Sequence, residues 1–134
     1  MRTPARTIRT MPSTASQHYE RLEALRREHR EELKARVDQL RVSLTPPDAV
    51  EVNDIEALCD ASSSAGIWAA MVEITSRKLQ DIEGALDRLE SGAYGKCSDC
   101  GAEISAARLR AIPSAERCRD CQEPADAGRN VLAA

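Results

Sequence analysis

The chain has no phenylalanine, one tryptophan and two tyrosines among its 134 residues. A core starved of aromatics falls back on Leu, Val, Ile and Ala, which suits long packed helices better than a β-sandwich. No stretch approaches the roughly 18 consecutive apolar residues of a membrane span, so no membrane partner is expected. The first residues also lack the apolar segment of a secretory signal. Instead MRTPARTIRTMPSTAS is basic and rich in Thr, Ser and Pro. Residues 1–15 read as a disordered basic tail, with a transit peptide as the alternative. The expected compartment is therefore the reducing cytoplasm, where clustered cysteines bind metal more often than they form disulfides.

A basic surplus is missing too. The net charge is -3. Arg2, Arg6 and Arg9 make the tail positive, whereas Asp48, Glu51, Asp54, Glu56 and Asp60 stand together with no Lys or Arg among them. Around the paired cysteines, Arg108, Arg110, Arg117 and Arg119 are balanced by Asp99, Glu103, Glu116 and Asp120. Phosphate neutralisation dominates nucleic-acid affinity, so a near-neutral module of this kind is not expected to bind DNA directly.

What the chain does have is helical periodicity. Ser16 to Leu44 contains no Gly or Pro and is rich in Glu, Leu, Arg and Ala. Leu33, Val37, Leu40 and Leu44 step at coiled-coil spacing, and Leu22, Leu25 and His29 lie near the same face. Thr45-Pro46-Pro47 stops this helix, because proline forces its predecessor out of helical geometry. A second helix is expected from Asp54 to Ser91, with Asn53 as N-cap and Glu56 as the capping-box acid. Its seam runs through Leu58, Ala61, Ala65, Trp68, Val72, Thr75, Leu79, Ile82, Leu86 and Leu89. At roughly 1.5 Å per residue such a helix is about 55 Å long and needs a partner. Ser62-Ser63-Ser64 and Gly66 are poor helix formers, and a start near Ala65 with a longer connecting loop is the alternative.

The predicted architecture is mainly α: a long antiparallel two-helix coiled-coil hairpin over 16–91, with an acidic tip at 45–60 and a small four-cysteine zinc ribbon at its base. The ribbon takes residues 92–122, and 123–134 read as a short Ala-rich tail.

Cys97, Cys100, Cys118 and Cys121 form C-x2-C-x17-C-x2-C, the spacing of a four-thiolate zinc site. Gly95 and Gly101 flank the first pair and give the backbone freedom a knuckle needs. Four protein thiolates close the shell of one structural zinc ion and leave no position for water or substrate, so the chain is not expected to be an enzyme. Neither His18 nor His29 lies near the cluster in sequence. Thioredoxin-like redox chemistry would need a βαβ context that is not legible here. Cys59 stands alone and reads as a small helix residue near the tip.

SGAYGKCSDCGAEISAARLRAIPSAERCRDCQ resembles the zinc-finger signature of the DksA/TraR family of bacterial transcription regulators. The likeness rests on Gly92, Tyr94, Gly95, the four cysteines, Gly101, Ile104, Arg108, Leu109, Ala111, Pro113 and Ala115. The preceding hairpin is similar in length, order and position, extending the resemblance over 17–122. It implies a monomeric cytoplasmic regulator that binds RNA polymerase, inserts its coiled coil into the secondary channel and brings an acidic tip to the active-site region. On that resemblance Asp54, Glu51 and Glu56 are the tip residues.

The chain departs from the family in two places. The family's tip reads D-x-x-D-x-A, and here it is Asp54-Ile-Glu-Ala57-Leu-Cys59, so the second Asp is Ala. Asp54 and Glu56 also suit a first helical turn on dipole grounds alone. The second departure concerns ppGpp, for which some members place basic residues where this chain has Asp81, Ile112 and Gln122. An acid repels a pyrophosphate, so weak or absent ppGpp synergy is expected. Competing readings are a transcript-cleavage factor, an unrelated coiled-coil adaptor and a DNA-binding ribbon.

Overall fold

The structure, a computed structural model, describes residues 13–45 and 55–132. Four helices follow one another: α1 (Ser13–Leu44), α2 (Ile55–Ser91), α3 (Ala106–Ala111) and α4 (Arg119–Leu132). Among the described residues the only β pairing is an isolated antiparallel bridge between Lys96 and Glu103. No described helix is long and apolar enough to cross a membrane.

The uninterrupted helix formers between positions 13 and 44 produce one helix of 32 residues. Its end is satisfied locally. The Thr45 N–H donates to the carbonyls of Arg41 and Val42 at 3.1 and 3.2 Å, and the Thr45 hydroxyl donates to Arg41 at 2.8 Å. Pro46, Pro47, Asn53 and the acidic residues Asp48, Glu51 and Asp54 lie outside the described residues. So do residues 1–12 of the stretch 1–15 read as a tail, while its last three residues, Ser13 to Ala15, belong to α1.

Helix α2 runs unbroken for 37 residues, through Ser62-Ser63-Ser64 and Gly66. Its termination is a Schellman motif. Gly92 takes a φ of +76°, which glycine adopts without Cβ strain. The N–H of Gly92 donates to Leu89 at 3.4 Å, and that of Ala93 to Arg88 at 2.8 Å.

Two compact units divide the chain, one built from residues up to Leu25 with those from Asp81 on, the other from Arg26–Gln80. In the first, Leu22, Ile82, Ala85, Leu86 and Leu89 make a buried cluster, with Ala15, Tyr19, Leu25 and Tyr94 packed against it. Leu22 is fully buried. In the second, α1 and α2 meet along a shallower seam. Leu33, Val37, Leu40, Ala65, Trp68, Val72 and Leu79 are half-buried, and Thr75 is buried. Arg36 reaches Met71 in this unit as Leu22 meets Ile82 to Leu89 in the other, which is the antiparallel order. Leu44, expected in the seam, is 64% exposed at the last position of α1.

Candidate metal centre

Two short elements bring the cysteines together. The first pair sits in a tight turn. The Gly101 N–H donates to the Cys97 carbonyl at 3.0 Å, and the Cys97 N–H to Ala102 at 2.8 Å. Gly95 and Gly101 both take positive φ, +83° and +74°, as a knuckle demands. The Ile104 N–H closes onto Gly95 at 2.7 Å. The second pair sits at a helix start: Cys118 immediately precedes α4 and Cys121 lies in its first turn. The partial positive charge of a helix start favours thiolates at that place.

All four Sγ atoms lie within 4.8 Å of one another. Cys100 and Cys118 are 3.8 Å apart at sulfur. A disulfide needs about 2.05 Å, whereas a tetrahedron of Zn–S bonds of about 2.3 Å has edges of about 3.8 Å. The donor set and its spacing fit one structural zinc ion. Bound there, zinc would supply a cross-link between the knuckle and α4 with no open coordination position.

The electrostatics around the sulfurs are uneven. Backbone N–H groups of Cys100 and Cys118, and one from Asp99, point at the Cys97 sulfur and hold its thiol pKa down to about 6. Cys100 is pushed up: the Ala102 amide works to lower it, but the neighbouring Cys97 and Cys118 thiols outweigh that. Cys121 is pushed up strongly by Cys118, Cys100 and Cys97. Successive thiolates in one cluster repel, and a divalent cation removes that repulsion.

Behind the sulfurs, Cys97, Ile104, Leu109 and Ala115 form a second small core, and Tyr94, Cys118 and Cys121 pack against it. Tyr94 belongs to both cores. Its hydroxyl donates to the Pro113 carbonyl at 2.7 Å, and its ring lies 5.1 Å from that of His18. Burial pushes the Tyr94 phenol up, so it stays protonated and donating. Ser105 caps α3 by accepting the Arg108 N–H at 3.3 Å. From the long helices, Arg21 donates to the Arg110 carbonyl at 2.8 Å and Arg88 to the Ser114 carbonyl at 3.1 Å. Arg21 and Arg88 carried no signal in the sequence, because a main-chain acceptor leaves no trace in residue identity.

Arginines of the finger are used internally. Arg108 donates to the Arg117 carbonyl at 2.9 Å, Arg117 pairs with Asp99 at 2.7 Å, and Arg119 pairs with Glu123 at 3.3 Å. That leaves little of a basic face for phosphates. Of the other singled-out residues, Glu56 falls in the first turn of α2, and Cys59 is exposed. Ile112 is 46% exposed, and Gln122 donates to Asp126 at 2.8 Å.

Residues 92–127 match the model of the prokaryotic DksA/TraR C4-type zinc finger. The chain is 46% identical over 52 residues to an uncharacterized protein of Aquifex aeolicus, a match covering 39% of this chain and 34% of that protein. It is 40% identical over 58 residues to the RNA polymerase-binding transcription factor DksA of Escherichia coli K12, covering 42% of this chain and 38% of DksA. These matches span little more than a third of the relatives' own length. In fold, transcription factor DksA2 from Pseudomonas aeruginosa superposes with a TM-score of 0.72 at 23% identity, covering 94% of both chains. The solution structure of DnaK suppressor protein from Agrobacterium tumefaciens gives a TM-score of 0.52 at 23% identity, over 88% of this chain and 97% of that one. The segment 92–127 is thus similar in sequence to the DksA/TraR C4-type zinc finger, and the likeness over the rest of the chain is one of fold.

Proposed function

We propose that this protein regulates bacterial transcription by binding RNA polymerase through the secondary channel and modulating initiation with the acidic residues between its two long helices. The observation that carries this reading is the joint presence of a DksA/TraR finger and a two-helix hairpin of DksA2-like fold. A stiff pair of helices can deliver carboxylates into a narrow pore, and a finger can anchor the base. In this reading Cys97, Cys100, Cys118 and Cys121 hold one structural zinc, and Asp54, Glu51 and Glu56 act near the polymerase active site. The protein works as a monomer in the cytoplasm, without catalysis of its own and without sequence-specific DNA contacts.

Synergy with ppGpp is weak or absent, because Asp81, Ile112 and Gln122 stand where the resemblance calls for cations. Transcription from a ribosomal RNA promoter in vitro, with and without ppGpp, measures this directly. Strong synergy would sink that part of the proposal.

The central test is retention of RNA polymerase by the immobilised protein, followed by competition with a known secondary-channel factor. Displacement supports the reading, and retention that the competitor leaves untouched contradicts it. Asp54→Asn separates binding from effect: polymerase retention stays intact while the effect on transcription weakens. Loss of binding in that variant would mean that the tip has been misassigned.

A further inference from the structure

The apolar seam of the second unit does not by itself choose a register. Leu58, Ala65, Val72, Leu79 and Leu86 recur every seven residues along α2, so along this row sliding α1 by one heptad again sets aliphatic against aliphatic. Ten residues, 45–54, separate α1 from α2 in the sequence.

A polar network crosses this seam. His29 Nδ1 lies 2.9 Å from Glu32 Oε2, and Arg36 Nη2 donates to Glu32 Oε1. The other arm of the same guanidinium, Nη1, donates across to the Met71 carbonyl at 3.3 Å. The Thr75 hydroxyl donates to that oxygen too, at 2.9 Å, and Thr75 is 1% exposed. Glu32 both neutralises and aims a guanidinium that is only a quarter exposed.

The acceptor is not interchangeable with its heptad neighbours. In a helix the side chain at i+4 lies over the turn that carries the carbonyl of residue i. Over Met71 that side chain is Thr75, short and already folded onto the oxygen. One heptad away in either direction, Trp68 covers Ser64 and Ile82 covers Lys78. An indole, or an aliphatic side chain that reaches past the γ position as isoleucine does, closes the carbonyl to a guanidinium, whereas one as short as threonine leaves it open.

We propose that Arg36 is the register lock of the second unit: its guanidinium fits the Met71–Thr75 step and selects one among heptad-related pairings that the aliphatic row there leaves equivalent. Polar residues at coiled-coil interfaces fix register in this way. The inference does not depend on the polymerase reading.

The test is a distance between the helices, in the full-length zinc-loaded protein. Spin labels carried on non-canonical residues at the exposed positions 34 and 63 leave every cysteine untouched and are offset along the helix axis. A one-heptad slip changes that offset by about 10 Å. The parent gives one distance. Arg36→Leu and Thr75→Leu each add or substitute a displaced distance, the first by removing the donor and the second by covering the acceptor. Leucine is a strong helix former, so both variants keep their helical ellipticity. Thr75→Val keeps the step open and retains the parent's distance. A single parental distance in both leucine variants overturns the proposal. A displaced distance in Thr75→Val overturns it as well, by moving the selection from the guanidinium to the hydroxyl.

Discussion

Replacing Cys97 with Ser tests how far the metal centre holds the rest of the molecule. Cys97 is the most buried of the four cysteines, and its sulfur is the one that three backbone N–H groups surround. A serine oxygen is a poor zinc ligand and leaves the cluster with three thiolates. Structural zinc binding is worth about 10–16 kcal/mol at pH 7 in small fingers, as much as the whole stability of an ordinary domain. The small core behind the sulfurs, Ile104, Leu109 and Ala115, cannot replace that. The finger should therefore unfold, taking with it α3 and α4, which hold 6 and 14 helical residues. Helices α1 and α2 hold 32 and 37 and keep their own core around Leu22. The expected result is loss of bound zinc with a fall in far-ultraviolet ellipticity of under a quarter. Metal analysis and circular dichroism on the purified variant read both. Unchanged zinc content with an unchanged melting curve would refute the closed four-thiolate site. Loss of most of the ellipticity would refute the independence of the hairpin.

Leu22→Ala should cost about 3 kcal/mol or more, because Leu22 is fully buried between Ile82 and Leu89 and its removal leaves a cavity; urea melts measure it. Gly66→Ala should stabilise the protein by about 1 kcal/mol, since a Cβ there meets nothing within 4 Å and α2 is continuous through it; an unchanged or lower melting temperature would contradict this. Zinc should be lost on acidification. A thiol held below its unfolded pKa favours the folded site above that unfolded value and loses the advantage as pH falls through the folded value. For Cys97 that value is about 6, so chelators should strip zinc markedly faster below about pH 6 than at pH 8. A rate of metal release flat across that range would show that protonation of these sulfurs does not gate it.

The long helices and the finger were legible because each rests on a strong periodic or spacing signal. The seam from Ala65 to Leu89 needed only the 3.6-residue repeat, and the metal site only two CxxC pairs. The unbroken start of α2 was less legible. Ser62-Ser63-Ser64 and Gly66 argue for a break, and packing along Ala65, Trp68 and Val72 outweighs them. Helix α4 was missed as an element because Pro124 and Gly128 are both poor residues for a helix interior. The chain bears them in an exposed helix whose first turn carries Cys121. Thr75 was read as one more seam position. Its hydroxyl, and the Arg36 guanidinium beside it, became informative only once Met71 was placed between them.

The clamps at the finger have a consequence for how freely its outer surface can change. Arg21, Tyr94 and Arg88 grip the carbonyls of Arg110, Pro113 and Ser114, three main-chain oxygens that every amino acid supplies. The side chains of Arg110, Ile112 and Ser114 are therefore not spent on holding the segment in place. Natural or laboratory variation can rewrite them while the anchoring bonds persist unchanged. The gripping residues have no such latitude: a change at Arg21, Arg88 or Tyr94 loosens the segment whatever it spells.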